Sequence, residues 1–114
     1  MSYKMNVIPK MERPRERMIK YGIDRLSNQD LLSIILKTGT KEKTVQEVAM
    51  DLLSTFGDLV HLREMTLSKV CQIKGIGKIK GMELLCCLEL GKRIFLETEQ
   101  NEKQILNDPR IIWN

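Results

Sequence analysis

Between Met65 and Met82 the chain carries four lysines and no acidic residue, and in their midst stands IKGIGKIKG, residues 73–81. Glycine lacks a Cβ and reaches positive φ without penalty, so Gly75 and Gly77 would let a backbone approach another surface closely. A helix starting near Lys78 would present unpaired N–H groups there, together with the positive end of its dipole. Successive amides of such a turn can form a concave anion seat. The chemistry that these residues suit is phosphate binding. Gly75, Gly77 and Lys78 are the expected seat, with Lys74 and Lys80 lending positive charge. Ile73 and Ile76 are expected to pin the turn to the core. The same stretch also suits a plain connector between two helices. It is no nucleotide-binding fingerprint, because it lacks a preceding strand, a third glycine in the required place and a G-x-x-x-x-G-K-S/T run.

Other reactive side chains are sparse. Cys71, Cys86 and Cys87 form no C-x-x-C pair, and His61 is the single histidine, whereas zinc sites usually take four Cys/His ligands at set spacings. Neighbouring Cys86 and Cys87 would point about 100° apart on a helix. The cysteines are therefore read as reduced packing residues. Nucleophilic catalysis needs a base beside a Ser or Cys, and His61 in a short amphipathic segment reads as a surface or packing residue. The expectation is no metal, no cofactor and no catalysis by this stretch of chain.

The length of 114 residues suits one small domain, and 42% hydrophobic content with 4% aromatics calls for an aliphatic core. No apolar run approaches the ~18 residues of a membrane helix. MSYKMNVIPK lacks the apolar stretch of a signal peptide, so a soluble, cytoplasmic protein without membrane contact is expected. The net charge of +4 is unevenly spread. Residues 1–25 carry seven basic and three acidic side chains, residues 66–82 carry four and none, and the two remaining segments each carry four and six. Such a split marks either a nucleic-acid face or a set of solvated lysines. Arg13, Arg15 and Arg17 form a second candidate patch, with ion pairing to Glu12 and Glu16 as the favoured reading.

The elements that must position the glycine stretch are helices. Pro14 fits a first helical position and Gly22 a stop, giving a helix near 14–20. Ser27 and Asp30 start a second over about 28–38, with Gly39 as its stop. Thr44 and Glu47 form a capping box for a third, whose Val45, Val48, Ala49, Leu52, Leu53 and Phe56 share one face before Gly57. Short helices are expected near 58–64 and 67–72, the latter capped by Thr66. The longest is expected over about 78–97, with Leu84, Cys87, Leu88, Gly91 and Phe95 on one stripe and Gly91 suggesting a close helix contact. ETEQNEKQ then reads as a linker or frayed end, and ILNDPRIIWN as the start of a further unit. The fold class is all-α: a compact bundle of five or six short helices, with residues 1–97 as the domain and 98–114 outside it. The core is expected to join Leu32, Ile35, Val48, Leu52, Phe56, Leu84 and Leu88. LKTGT and IKGIG echo one another weakly, each placing a glycine after a lysine at a helix junction.

Leu67, Val70, Ile73, Gly75, Ile76, Gly77 and the helix from Lys78 together resemble the helix-hairpin-helix motif of non-sequence-specific DNA-binding proteins. The resemblance implies that hairpin amides bind backbone phosphates. Gly81 stands where such motifs commonly carry Ala, a departure expected to loosen the second helix. ERPRER at 12–17, LSNQDLLSIILKTGT at 26–40, LLSTFGDL at 52–59, IKGIGKIK at 73–80 and LELGKR at 88–93 occur in that order. The chain thereby resembles, over residues 5–96, the N-terminal region of the bacterial RadC family, named for a role in DNA repair. In that family a C-terminal JAB/MPN-type domain with a metal-binding His-x-His and a downstream Asp normally follows. Nothing here matches it, so the resemblance implies an isolated N-terminal domain. The expected partner is DNA, held by its backbone with little base preference. A homo-oligomer is possible, and in the whole family the C-terminal domain is a further partner. The alternative is a protein-interaction or scaffold module that positions that domain. DNA glycosylases of the helix-hairpin-helix group carry a catalytic Asp beyond the hairpin, but the one Asp after Gly77 is Asp108, in the tail.

Overall fold

The computed structural model describes residues 13–106 and Arg110. Among them are five α-helices and no strand: α1 (Pro14–Tyr21), α2 (Asn28–Leu36), α3 (Val45–Phe56), α4 (Leu67–Val70) and α5 (Lys78–Leu106), with 3₁₀ turns at Ile23–Arg25 and Val60–Glu64. The all-α expectation is met, with one departure. The last helix has 29 residues, so the bundle is not made of short helices alone.

Side-chain caps set most of the starts. Ser27 and Asp30 form a reciprocal capping box, each backbone N–H lying 3.1 Å from the other's side-chain oxygen. Thr44 and Glu47 do the same at 3.1 Å, and Thr66 caps α4 by accepting from the Lys69 N–H. Gly22 and Gly57 take positive φ and end α1 and α3. The end of α2 differs from expectation. It stops at Leu36, because Lys37 adopts φ 72° and ψ −51° and the Thr38 N–H donates to the Leu36 carbonyl at 2.8 Å. That is a γ-turn of the rare, strained kind. Gly39 instead makes room for the start of α3. A Cβ there would lie 2.2 Å from the Lys43 carbonyl oxygen and 2.6 Å from the Val45 nitrogen, so only glycine fits.

The core is aliphatic and sits where α2, α3 and the 60–84 segment meet. Leu36, Val48, Leu52 and Val70 are its most enclosed large side chains, joined by Leu32, Leu62, Ile73, Ile76 and Leu84. Of the seven expected core residues, four are buried, and Ile35, Phe56 and Leu88 pack against them half-buried. Buried Asp30 also pairs with Arg17, which ties α1 to α2.

Only the first turns of α5 serve this core. Gly81 and Leu84 are buried and Leu85 and Leu88 half-buried, but from Glu89 to Leu106 every side chain is exposed. Cys87, Gly91 and Phe95 therefore lie off the core, and a Cβ at Gly91 would meet nothing within 4 Å. The close helix contact expected at Gly91 occurs at Gly81 instead, where a Cβ would lie 3.0 Å from Leu67, 3.1 Å from Val70 and 3.2 Å from Cys71. Gly81 thus seats α5 against α4 rather than loosening it. ETEQNEKQ, expected as a linker, continues the helix to Leu106. Its Glu, Gln and Lys are good helix formers, Thr98 bonds back to the Ile94 carbonyl, and no Gly or Pro interrupts residues 92–106. The expected onset of a further unit at 107–114 lies outside the described residues, apart from Arg110.

Candidate nucleic-acid interface

α4 and α5 are joined by the turn Cys71–Gly77. Ile73 and Ile76 are buried, as expected, and the Ile76 N–H closes the turn onto the Ile73 carbonyl at 3.0 Å. Between them Gly75 takes φ +99°. A Cβ there would lie 2.9 Å from a Val48 methyl and 3.2 Å from that of Thr40, so Gly75 is required by the fold itself. Gly77 differs. Its φ lies outside the left-handed region and a Cβ would meet nothing within 4 Å, so the interior places no demand on it.

Gly77 immediately precedes α5, and the first helical amide to find a carbonyl is that of Gly81, donating to Gly77 at 2.8 Å. Among the described residues, the amides of Gly75, Gly77, Lys78, Ile79 and Lys80 have no protein acceptor. The starts of α2, α3 and α4 are each filled by a hydroxyl side chain, and α5 has no acidic residue in its first turn. A cluster of free donors at the positive end of a 29-residue helix suits an anion.

The lysines divide by role. Lys78 is exposed and, among the described residues, in no ion pair. Lys74 lies 3.5 Å from the Glu42 carboxylate, with both side chains well exposed. Lys80 donates to the Thr38 carbonyl at 2.6 Å and hydroxyl at 3.0 Å. Burial pushes its pKa below the usual 10.5, opposed by the charge of Glu83 and assisted by that of Lys37. Lys80 therefore fastens α5 to the segment after α2, and its charge is only partly free for a ligand.

Those contacts expose a neighbour that sequence reasoning passed over. Residues 37–43 close a tight loop, with the Thr40 N–H donating to the Lys43 carbonyl at 2.8 Å and the Thr40 hydroxyl accepting from the Glu42 and Lys43 amides. Thr40 touches Gly75, Glu42 pairs with Lys74 and Thr38 holds Lys80. The two glycine junctions whose sequences echo one another thus meet in space. Lys41, beside Thr40, is exposed and, among the described residues, in no ion pair; the echo of LKTGT with IKGIG was the signal that could have found it.

The other candidates resolve separately. Arg17 leaves the arginine patch for Asp30, and among the described residues no ion pair joins Arg13 or Arg15 to Glu16; pairing to Glu12, the other half of the favoured reading, lies outside the described residues. Cys86 and Cys87 are exposed rather than packed, and Cys71 is half-buried. His61 is a surface residue whose backbone N–H and ring both contact the Asp58 carboxylate, at 3.0 and 2.6 Å. Those hydrogen bonds hold the Asp58 pKa below its ordinary 3.8. Among the described residues no His, Cys, Asp and Glu cluster could hold a metal ion, and no helix is long and apolar enough to cross a membrane.

Comparison with known proteins places these features in a family. A family profile described as UPF0758 N-terminal matches residues 5–82. A UPF0758 protein of Bacillus pumilus is 47% identical over 93 residues, covering 82% of this chain and 42% of its own length. One from Streptococcus agalactiae serotype Ia is 42% identical over 98 residues, covering 86% and 43%. One from Clostridium botulinum strain Langeland is 39% identical over 113 residues, covering 99% and 49%. The chain thus spans less than half the length of these curated relatives. No solved structure matches it. The RadC resemblance holds at the family level, because UPF0758 is the RadC-like family. The chain belongs to the UPF0758 family and corresponds to its N-terminal part.

Proposed function

We propose that this N-terminal segment is a DNA-binding module that grips duplex backbone phosphates through the turn Gly75–Lys78, in the manner of a helix-hairpin-helix motif. The observation that carries the reading is Gly77. Its missing side chain leaves open space in front of the unpaired amides that begin α5. Gly75 shapes the turn from within, Lys78 supplies a free cation, and Lys74 and Lys41 add charge from the two sides of the junction. Lys80 contributes mainly by holding the junction together. Contacts made by backbone amides and lysines to phosphates carry no sequence information directly, and residues 37–44 and 71–81 hold no aromatic side chain to stack on bases, so base preference is slight. The segment performs no chemistry of its own on this reading. It delivers a RadC-like protein to DNA, and any metal-dependent reaction belongs to a JAB/MPN-type domain in the remainder of the full-length protein. Salt dependence tests the reading. Binding of the chain to unrelated duplexes should weaken linearly with log salt, by about 0.9 log unit in affinity per log unit of salt for each phosphate neutralised. Absence of binding at low salt, or binding indifferent to salt, would reject it.

A second reading, a scaffold or protein-interaction module, is favoured by α5. Ile79, Met82, Leu90 and Ile94 are 47–70% exposed and recur on the side of the helix opposite Leu84 and Leu88. An apolar stripe of this kind marks a protein contact. A module that is only a scaffold would show no salt-sensitive affinity for DNA.

A further inference from the structure

A small pocket lies between the start of α1, the end of α2 and the start of α3. Among the described residues its lining carries Arg13, Arg15 and Lys37 with the Glu16 carboxylate, and includes the buried Ser33 and Val45. Its volume is about 160 Å³, below the roughly 300–1,000 Å³ of sites for drug-sized ligands. One tetrahedral oxyanion with a few waters fits such a space, since water takes about 30 Å³ in the liquid. Arg15 is exposed and, among the described residues, in no ion pair. Lys37 reaches Glu83 at 3.0 Å, and its backbone is held at the strained γ-turn that ends α2. The Ser33 hydroxyl donates to the Gln29 carbonyl at 2.7 Å.

The telling atom is the Arg13 Nε. It is buried, and among the described residues it has no hydrogen-bond partner. A buried guanidinium N–H without an acceptor is costly, and native proteins keep few of them. Guanidinium groups bind planar and tetrahedral oxyanions through paired N–H donors. Arg17 is committed to Asp30, whereas among the described residues neither Arg13 nor Arg15 forms an ion pair, with Glu16 or with any other carboxylate.

The geometry points to a phosphate-type oxyanion site formed by Arg13 and Arg15, with Lys37, already paired with Glu83, adding only background charge; the site is distinct from the glycine turn. Arg13 donates from Nε and its outer nitrogens, and Arg15 closes from the solvent side. The ligand is either a free phosphate or a backbone phosphodiester, because both present the same oxygens.

The test is an NMR titration of the 114-residue chain, following the Arg13 Nε–H resonance. The arms are inorganic phosphate, a short DNA duplex, and sodium acetate at matched ionic strength. Saturable shifts with phosphate and not with acetate are expected. Saturation by duplex alone would support the same site with the nucleic-acid backbone as its source. Arg15→Gln, at an exposed position, should weaken phosphate binding by about tenfold without altering the fold. Arg13→Lys keeps the charge but loses the fork, and should weaken it further. Gly77→Ala should leave inorganic-phosphate binding here unchanged, which separates this site from the proposed turn. If neither phosphate nor duplex saturates the resonance, or acetate does so equally well, the site is not a phosphate seat and the proposal is wrong.

Discussion

Gly75 and Gly77 are two residues apart and look interchangeable in the sequence, yet they answer to different forces. Gly75 is held at φ +99° with Val48 and Thr40 against it, so Gly75→Ala should cost about 1–3 kcal/mol by combined strain and overpacking. Gly77→Ala meets open space and should cost less than about 1 kcal/mol, the scale of a helix N-cap change. Urea denaturation of the two variants checks the contrast, and equal losses would contradict it. The need for glycines at the turn was legible from composition, but which one serves the interior was not. That depends on Val48 and Thr40, some 27 and 35 residues earlier in the chain. The role of Lys80 was hidden for the same reason, since its partner Thr38 lies 42 residues away. Asp58 gives a pH-dependent check at this scale. Its carboxylate accepts from the His61 backbone and ring, so its folded-state pKa lies below 3.8. The stability it adds is present above about pH 3.8 and is lost as pH falls through the lower folded value. A carbon-detected titration should place the Asp58 midpoint below 3.8; a midpoint at or above that value would contradict the hydrogen bonds described.

The helices follow from local chemistry where caps and apolar period agree, as in α2 and α3 with their two capping boxes. They depart from it where a long-range contact or a backbone turn decides. α2 ends one γ-turn earlier than Gly39 suggested, because Gly39 is reserved for the backbone of residues 43–45. α5 outruns its core because good helix formers extend it without burial. The α4–α5 seam is the element that sets the aim of the glycine turn, and at Gly81 it is so close that a Cβ would press on Leu67, Val70 and Cys71. Gly81→Leu should push the two helices apart and lower stability by about 1–3 kcal/mol, read as a shift of the urea midpoint. An unchanged midpoint would mean that the seam is loosely packed.

For the whole molecule, the core is confined to residues up to about Leu88, and the rest of α5 projects from it with every side chain exposed. Leu96→Ala and Ile105→Ala, both at exposed positions of α5, should therefore each leave the stability within about 0.5 kcal/mol of the parent, as for other exposed changes. A large loss would show that the projecting helix stabilises the fold. The uneven charge seen in the sequence becomes a spatial arrangement only after folding, when the loop 37–43 comes against the glycine turn. Composition identified the lysines of residues 66–82 but could not bring Lys41 to them. The most direct test of the account is the affinity of the parent, Gly77→Ala and Lys78→Gln for one DNA duplex across a salt series. The account predicts that both folded variants bind more weakly than the parent, with Lys78→Gln reducing the log–log salt slope by about one unit. Variants that bind DNA as tightly as the parent, with the same slope, would contradict it and leave the turn as a connector.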